Sequence, residues 1–423
     1  MDQRAFSLGV DVQEKKLSSN RLYIKKFGGT SVCSVERIEV IADKIAASHH
    51  KGDKQVIVLS AMAGETNRLF SLGQQIDSNA CNRELDVLVS TGEQVNIALM
   101  AMALIKRGIK ARSMTGVQAN IRTCSQFGSA QIESVDATNI QSLLNENIIP
   151  IVAGFQGQDS DGNITTLGRG GSDTSAVAIA AALQAQECMI YTDVDGIYHI
   201  DPKIVSEAIK FKSVSFSVMH EMAKLGAKVL HPDSVYYAQK YKVPIRVLSS
   251  LSDKSEGTLI DTNNTTSTKS EIISIVAQER IAILDGSIEN NINNLCNETA
   301  LNKVCLSDGL IWENPIKGNN CGQYYAAPQV YLEPSLHKID SNSLCYNLEH
   351  FVSESELVCI SLIAEPEQKV AENLTRVLDI LGKQDIHVKL TATSEKGLSI
   401  IVDDEMLYQT VRTLHCEFGF DKL

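Results

Sequence analysis

The sequence predicts an α/β protein, with a mostly parallel sheet sandwiched by helices and then a smaller α+β unit. Three observations carry this. Short apolar runs alternate with helical-period segments from residue 22 to about 260. Glycine-rich polar stretches follow several of those runs, where open α/β sheets present their ligand loops. From residue 357 the pattern becomes strand, helix, two strands and helix.

Residues 22–27 (Leu-Tyr-Ile-Lys-Lys-Phe) read as a strand entering Gly28-Gly29-Thr30-Ser31, and Ile38, Ile41 and Ile45 share one face of the helix that follows. The alternation continues with a strand at Val56–Leu59, a helix from Leu85 to about Lys106, a strand at Lys110–Met114, a helix around 138–146 and a strand at Ile148–Ala153. Such βα alternation implies parallel strands with helices on both faces. Residues 154–173 hold six glycines with Asp159, Asp161 and Arg169 and read as a long polar loop leading into an Ala-rich helix over Thr174–Leu183. A strand at Cys188–Tyr191 then runs into Thr192-Asp193-Val194-Asp195-Gly196. Helices near 217–225 and 233–241 precede a strand at Pro244–Leu248.

After the polar run Asp261–Ser270, the chain is Asn-rich and weakly periodic to about residue 350. Strand Leu357–Ile363, helix Gln368–Leu381, strands Ile386–Thr391 and Gly397–Val402, and helix Glu405–Phe418 describe a ferredoxin-like unit. The predicted organisation is an extension at 1–21, a main domain at 22–260, a divergent region at 271–350 and a second small domain at 351–423.

Composition bounds the function. With 423 residues, 43% hydrophobic, the chain can bury a full core and make two or more domains. Thirty-nine Lys and Arg against 51 Asp and Glu leave a formal charge of −12, which argues against nucleic acid as the main partner while leaving room for small anions in a local cationic pocket. The ten cysteines form no Cys-x-x-Cys pair, so a structural zinc site and a dense disulfide frame are not expected, and reduced thiols in the cytoplasm are. No signal-peptide pattern opens the chain and no run reaches the apolar length of a membrane span, so no membrane role is expected. The histidines show no metal-site spacing.

Neither a P-loop nor Gly-x-Gly-x-x-Gly is present. Lys26, Gly28, Gly29, Thr30 and Ser31 instead place a cation and bare backbone N–H groups at a strand end, which suits a phosphate; the same residues also suit a tight turn with a solvated lysine. In Thr165-Thr166-Leu167-Gly168-Arg169-Gly170-Gly171-Ser172-Asp173-Thr174, the guanidinium fork of Arg169 suits a carboxylate, while Ser172 and Asp173 also read as helix N-cap and first-turn acid. In Thr192-Asp193-Val194-Asp195-Gly196-Ile197-Tyr198, followed by Asp201-Pro202-Lys203, a turn accounts for Gly196 and Pro202 but not for Asp193, Tyr198 or Lys203. Gly226-Ala227-Lys228-Val229-Leu230-His231-Pro232 reads equally as a helix-ending glycine with a solvated lysine. Ser60, Thr66 and Glu93 add hydroxyls and a carboxylate near further strand ends, although Glu93 alone would pass for a helix-start acid.

Together these four motifs resemble the aspartokinase branch of the amino acid kinase family, over residues 22 to 260. The resemblance implies the amino-acid-kinase fold and transfer of the γ-phosphoryl of ATP to the β-carboxylate of L-aspartate, the entry step to lysine, threonine, methionine and diaminopimelate. It implies Lys26 as the catalytic cation and Asp173 as organiser of the loop, the lysine and the metal-bound phosphates, with Ser60, Thr66, Glu93, Arg169 and Ser172 holding aspartate. Gly28, Gly29, Thr192, Asp193, Tyr198, Asp201, Lys203, Lys228 and Val229 would join Lys26 around ATP. Mg²⁺ would ride on phosphates and water, with no protein residue assigned to it. Lys203 stands where arginine is usual, and Gln131 departs from the family in the same way.

The C-terminal part resembles paired ACT domains. Residues 357–418, with Thr393-Ser394-Glu395, match the second unit, whereas 271–350 lack the usual Pro-Gly of the first. Lysine or threonine as effector and a homodimer or higher oligomer are implied by resemblance only. No dehydrogenase-like region follows, which implies a monofunctional kinase. The competing reading is a catalytically silent amino-acid sensor, against which stands the joint presence of Lys26, Arg169 and Asp173.

Overall fold

The computed structural model describes residues 21–78, 80–252, 255–262, 272–279, 281–285, 324–328, 351–352, 357–364 and 369–420. These fall into two compact units. The first takes the described residues of Met1–Ile197, Lys212–Met219 and Val229–Thr265; the second takes those of Tyr198–Phe211, His220–Lys228 and Thr266–Leu423.

In the first unit, β1 (Leu22–Phe27), α1 (Val35–His50) and β2 (Lys54–Leu59) make the first crossover. Ser34 caps α1 by accepting the Arg37 N–H at 3.3 Å. Helices α2 (Glu65–Ile76), α3 (Asn82–Val89) and α4 (Thr91–Lys106) lead to β3 (Ala111–Met114). Next come β4 (Ile121–Thr123), β5 (Ile132–Val135), α5 (Thr138–Asn145), β6 (Ile149–Ala153), β7 (Gln156–Gln158), β8 (Ile164–Thr166), α6 (Gly171–Ala182) and β9 (Glu187–Thr192). The remainder is β10 (Ser213–Ser215), α7 (Phe216–Lys224, of which His220 onward is counted with the second unit), α8 (Pro232–Tyr241), β11 (Ile245–Ser249) and β12 (Thr258–Asp261).

Eight strands form one sheet in the order β10-β12-β11-β9-β1-β2-β6-β3. Every pairing in it is parallel except β11 with β12. Val56, Ile57, Val58 and Leu59 are wholly buried, which is why β2 reads as an unbroken apolar run. Ile38, Ile41 and Ile45 of α1 meet Met100 and Leu104 of α4 over this sheet. Each such side chain contributes roughly 1.5–3 kcal/mol by leaving water.

Three expectations are corrected here. The region Leu85–Lys106 is two helices, because at Ser90 the carbonyl oxygen accepts the Gln156 side-chain amide at 2.8 Å. Helix α2 stands where no helix was expected. The segment 154–173 contains the hairpin β7–β8, part of a second sheet ordered β5-β4-β7-β8, and α6 begins at Gly171. By length and composition α3 and α4 together, Asn82–Lys106, would also pass for a membrane span, yet 56% of that apolar window is buried inside the protein.

In the second unit, β13 (Ile272–Glu279) is followed by β14 (Ile281–Asp285), β15 (Tyr324–Pro328) and β16 (Phe351–Val352), the last three forming an antiparallel sheet ordered β15-β14-β16. Then come β17 (Leu357–Ala364), α9 (Val370–Gly382), β18 (Leu390–Thr393), β19 (Gly397–Asp403) and α10 (Leu407–Glu417). The sheet β13-β17-β19-β18 is antiparallel, and this βαββα order is the expected one. The strand expected at Ile386 begins at Leu390, although Ile386 and Val388 still pack into the core. Ile200 and Val205 join that core, and the His199 carbonyl accepts both the Ile275 N–H and the Ser274 hydroxyl at 2.8 Å. The expectations for 1–20 and for most of 271–350 lie outside the described residues.

Candidate active site

Parallel strands place the loops after β1, β2, β6 and β9 at one edge of the main sheet. Backbone hydrogen bonds tie these loops together. The Gly28 N–H reaches the Tyr191 carbonyl at 3.1 Å, the Ser60 N–H that of Phe27 at 3.2 Å, and the Gly154 N–H that of Leu59 at 3.0 Å. The Ser31 hydroxyl also donates to Tyr191 O, and the Phe27 and Tyr191 rings stack at 4.6 Å. A Cβ on Gly29 would come within 2.8 Å of the Ala61 carbonyl, so this glycine is required for the close approach of two loops.

At this edge Lys26 Nζ lies 2.5 Å from Asp173 Oδ1, with both side chains about nine-tenths buried. A Cβ on Gly28 would stand 3.6 Å from Lys26 Nζ, so the bare glycine leaves space beside the ammonium. Ser172 stands over the end of β6, close enough that a Cβ on Gly154 would come within 2.8 Å of its Cβ. Ser172 and Asp173 sit in the first turn of α6, whose N-cap is Gly170; the N-cap reading of Ser172 is thereby corrected. Burial and the neighbouring Asp173 charge push the Cys188 thiol far up, so it stays protonated.

Glu93 is 2% exposed and accepts the Ala61 N–H at 3.0 Å. Burial pushes its carboxyl up to about 7, against the lowering effect of that hydrogen bond, and its Oε2 is buried with no hydrogen-bond partner. One turn on, Asn96 donates to the Ser60 carbonyl at 2.7 Å. Glu93 and Asn96 thus grip the loop that carries Ser60, which is half-buried, as is Thr66 in the first turn of α2.

Arg169 is exposed between Gly168 at φ +77° and Gly170 at φ +66°. A Cβ on Gly170 would lie 2.2 Å from the Cβ of His231. The strand entering this loop is pinned by Asp86, which accepts the N–H groups of Gly128 and Thr166 and the Thr166 hydroxyl at 2.7–2.9 Å. Burial raises the Asp86 pKa, and those hydrogen bonds oppose the rise.

Thus Lys26, Gly28, Gly29 and Asp173 come together; Ser60 and Glu93 join through Ala61 and Asn96; Ser172 borders them. Thr192 and Asp193 follow Tyr191 at the end of β9, with their side chains 3.0 Å apart, and Val229 is half-buried in the first unit. Tyr198, Asp201, Lys203 and Lys228 belong to the second unit. There Tyr198 bridges to Lys210, Asp201 Oδ1 accepts the Lys203 N–H at 2.8 Å, and the Lys203 and Lys228 side chains are exposed. Gln131 is exposed on the β4–β5 turn. Sequence reasoning missed Asp86 and Gln156, which act through distant partners. Asn96 was missed as well, and its only signal is that it lies one turn from Glu93.

Among the described residues no three His, Cys, Asp or Glu side chains gather as a metal site.

The model of the amino acid kinase family matches residues 21–249. An aspartate kinase of Pseudomonas putida is 40% identical over 408 residues, covering 95% of this chain and 98% of its own. Aspartokinase 2 of Bacillus subtilis is 36% identical, covering 95% and 98%. Among solved structures, Escherichia coli aspartokinase III in complex with aspartate and ADP matches 95% of this chain and all of its own, with a TM-score of 0.73 and 25% identity. The paired loops, the buried lysine and this similarity along nearly the whole chain agree: it belongs to the amino acid kinase family, within its aspartate kinase branch.

Proposed function

We propose that the chain is an aspartate kinase that transfers the γ-phosphoryl group of ATP to the β-carboxylate of L-aspartate, giving 4-phospho-L-aspartate. The observation that carries this is the buried Lys26–Asp173 pair at the loop edge of the sheet, in a chain 40% identical to an aspartate kinase. A β-carboxylate is already an anionic nucleophile, so no strong base is needed. The task is to hold two anions in line and offset their repulsion.

In this reading Lys26 faces the transferring phosphoryl group from beside Gly28 and Gly29, and Asp173 holds its ammonium in place until the phosphates arrive. Arg169 clamps a carboxylate of aspartate with its two-pronged fork. The buried Glu93, with Ser60, Thr66 and Ser172, completes that pocket. Thr192, Asp193, Tyr198, Asp201, Lys203, Lys228 and Val229 are assigned to the nucleotide. Mg²⁺, when bound through the phosphate oxygens, supplies charge neutralisation there.

The C-terminal βαββα unit is assigned as an ACT-like sensor of lysine or threonine, in a homodimer or larger homo-oligomer acting in the cytoplasm on the route to lysine, threonine, methionine and diaminopimelate. The domain limits 22–260, 271–350 and 351–423 belong to the same proposal. The silent-sensor reading leaves the Lys26–Asp173 pair without a purpose. Hydroxylamine trapping decides between them: aspartyl hydroxamate formed from ATP and aspartate supports the kinase, and none at saturating ATP overturns it.

A further inference from the structure

Ser394, in the Thr393-Ser394-Glu395 run between β18 and β19, is given no role of its own in the function above. Its hydroxyl donates to Oε1 of Glu221, and its Oγ accepts the Gly397 N–H at 2.9 Å. Glu221 is 9% exposed, so a hydroxyl donor there replaces part of the hydration that burial removes. The fit is close at a second point. A Cβ on Gly397 would come within 2.7 Å of Leu225 Cδ1 and 3.3 Å of Glu221 Oε1, so a bare glycine lets the hairpin approach.

Glu221 lies in the last turn of α7, and Leu225 follows that helix. Gly226 at φ +104° closes it: its N–H reaches the Ala223 carbonyl at 3.3 Å, and the Ala227 N–H reaches that of Met222 at 2.9 Å. This 6→1 and 5→2 pairing is a Schellman motif, which fixes the chain direction out of the helix. Lys228 comes next. Gly226 also abuts β13, where a Cβ on it would stand 3.1 Å from Gln278 Cδ. All of these residues fold within the second unit.

We infer that Ser394, through its hydrogen bond to Glu221, is a positioning residue for the turn Gly226-Ala227-Lys228, so that the β18–β19 hairpin sets how tightly ATP is held. This rests on the assignment of Lys228 to the nucleotide. Ser394 acts on the backbone that presents Lys228 and not on the reacting groups, so its loss weakens ATP binding and leaves saturated turnover alone.

The test uses the full chain, with MgATP affinity by calorimetric titration and steady-state hydroxamate formation. Ser394→Ala is expected to raise the ATP Kd and KM by about 5- to 10-fold, the scale of one charge-assisted hydrogen bond, with kcat and the aspartate KM within about twofold. Ser394→Thr, which keeps the hydroxyl, should stay near the parent. An unchanged ATP Kd in Ser394→Ala overturns the inference, as does an equally impaired threonine variant or an equal rise in both KM values. Should Ser394→Ala fail to fold, Glu221→Gln keeps an acceptor without the charge: a rise of about 2- to 3-fold supports the role, and no rise overturns it. Lys228→Ala separates the two claims. If it leaves the ATP Kd unchanged, the nucleotide assignment and this inference fall together. If it weakens ATP while Ser394→Ala does not, only the positioning role is lost.

Discussion

Lys26 Nζ and Asp173 Oδ1 meet at 2.5 Å, one group from the end of β1 and the other from the first turn of α6. Neither side chain has water enough to stay charged comfortably alone. Each is the other's counter-ion.

The pair separates folding from catalysis. Lys26→Ala should cut turnover at least ~100-fold, the scale of losing a preorganised charge partner. Asp173→Asn should destabilise by about 3 kcal/mol, because it strands a buried ammonium. Adding Lys26→Met to Asp173→Asn should restore much of that stability and none of the activity. Denaturant melts beside hydroxamate assays of the three variants check this.

Glu93 predicts a pH dependence. Its folded pKa, about 7, lies above the ordinary 4.5, so between those values the folded chain binds the extra proton. Stability is then highest below pH 4.5 with respect to this group and falls as pH rises toward 7, by about 3 kcal/mol in all. Glu93→Gln, which keeps the acceptor for the Ala61 N–H, should flatten that decline in urea melts at pH 5 and pH 8. The aspartate KM of the parent should fall as pH rises through 7, and that trend should vanish in Glu93→Gln.

Arg169 and Gly170 form a third test. Arg169→Ala should raise the aspartate KM at least ~10-fold with kcat little changed, and Arg169→Lys should not rescue it, since the fork geometry is lost. Gly170→Ala puts a methyl group where His231 stands and strains a positive φ. It should cost roughly 1–3 kcal/mol in stability and raise the aspartate KM as well.

His199 predicts an acid-side dependence in the second unit. It is 2% exposed, its Nδ1 accepts the Ile209 N–H at 2.8 Å, and its ring lies 5.4 Å from that of His415. Burial lowers its pKa first; the Ile209 carbonyl opposes this and His415 adds to it. The unfolded chain therefore takes up the proton first as pH drops. Stability from neutral His199 is complete above about pH 6.5 and is lost below it. His199→Asn, which keeps an acceptor but cannot be charged, should lose less melting temperature between pH 7 and pH 5.5 than the parent.

The strands β2 and β6 were legible as apolar runs buried on both faces, β1 and β9 as short runs leading into turn residues, and Ile38, Ile41 and Ile45 marked α1 by their spacing. Helix α2 and the β7–β8 hairpin were not. Phe70, Leu72 and Ile76 of α2 remain exposed, so its sequence shows no clean buried stripe, and β7 and β8 are three residues each, too short for a period to show. The glycine motifs suited an anion, and the resemblance alone linked Asp173 to the lysine, since by itself Asp173 read equally well as a helix-start acid.

The amino-acid sequence alone determined the alternation of elements, the four glycine-bearing motifs and the aspartate kinase resemblance, because periodicity and short-range turn chemistry are written along the chain. Tertiary structure alone decided that Lys26 and Asp173 meet as a buried ion pair, that Glu93 is withdrawn from water, and that Ser394 holds Glu221. Those are long-range encounters whose energy depends on burial, and burial exists only once distant segments have packed.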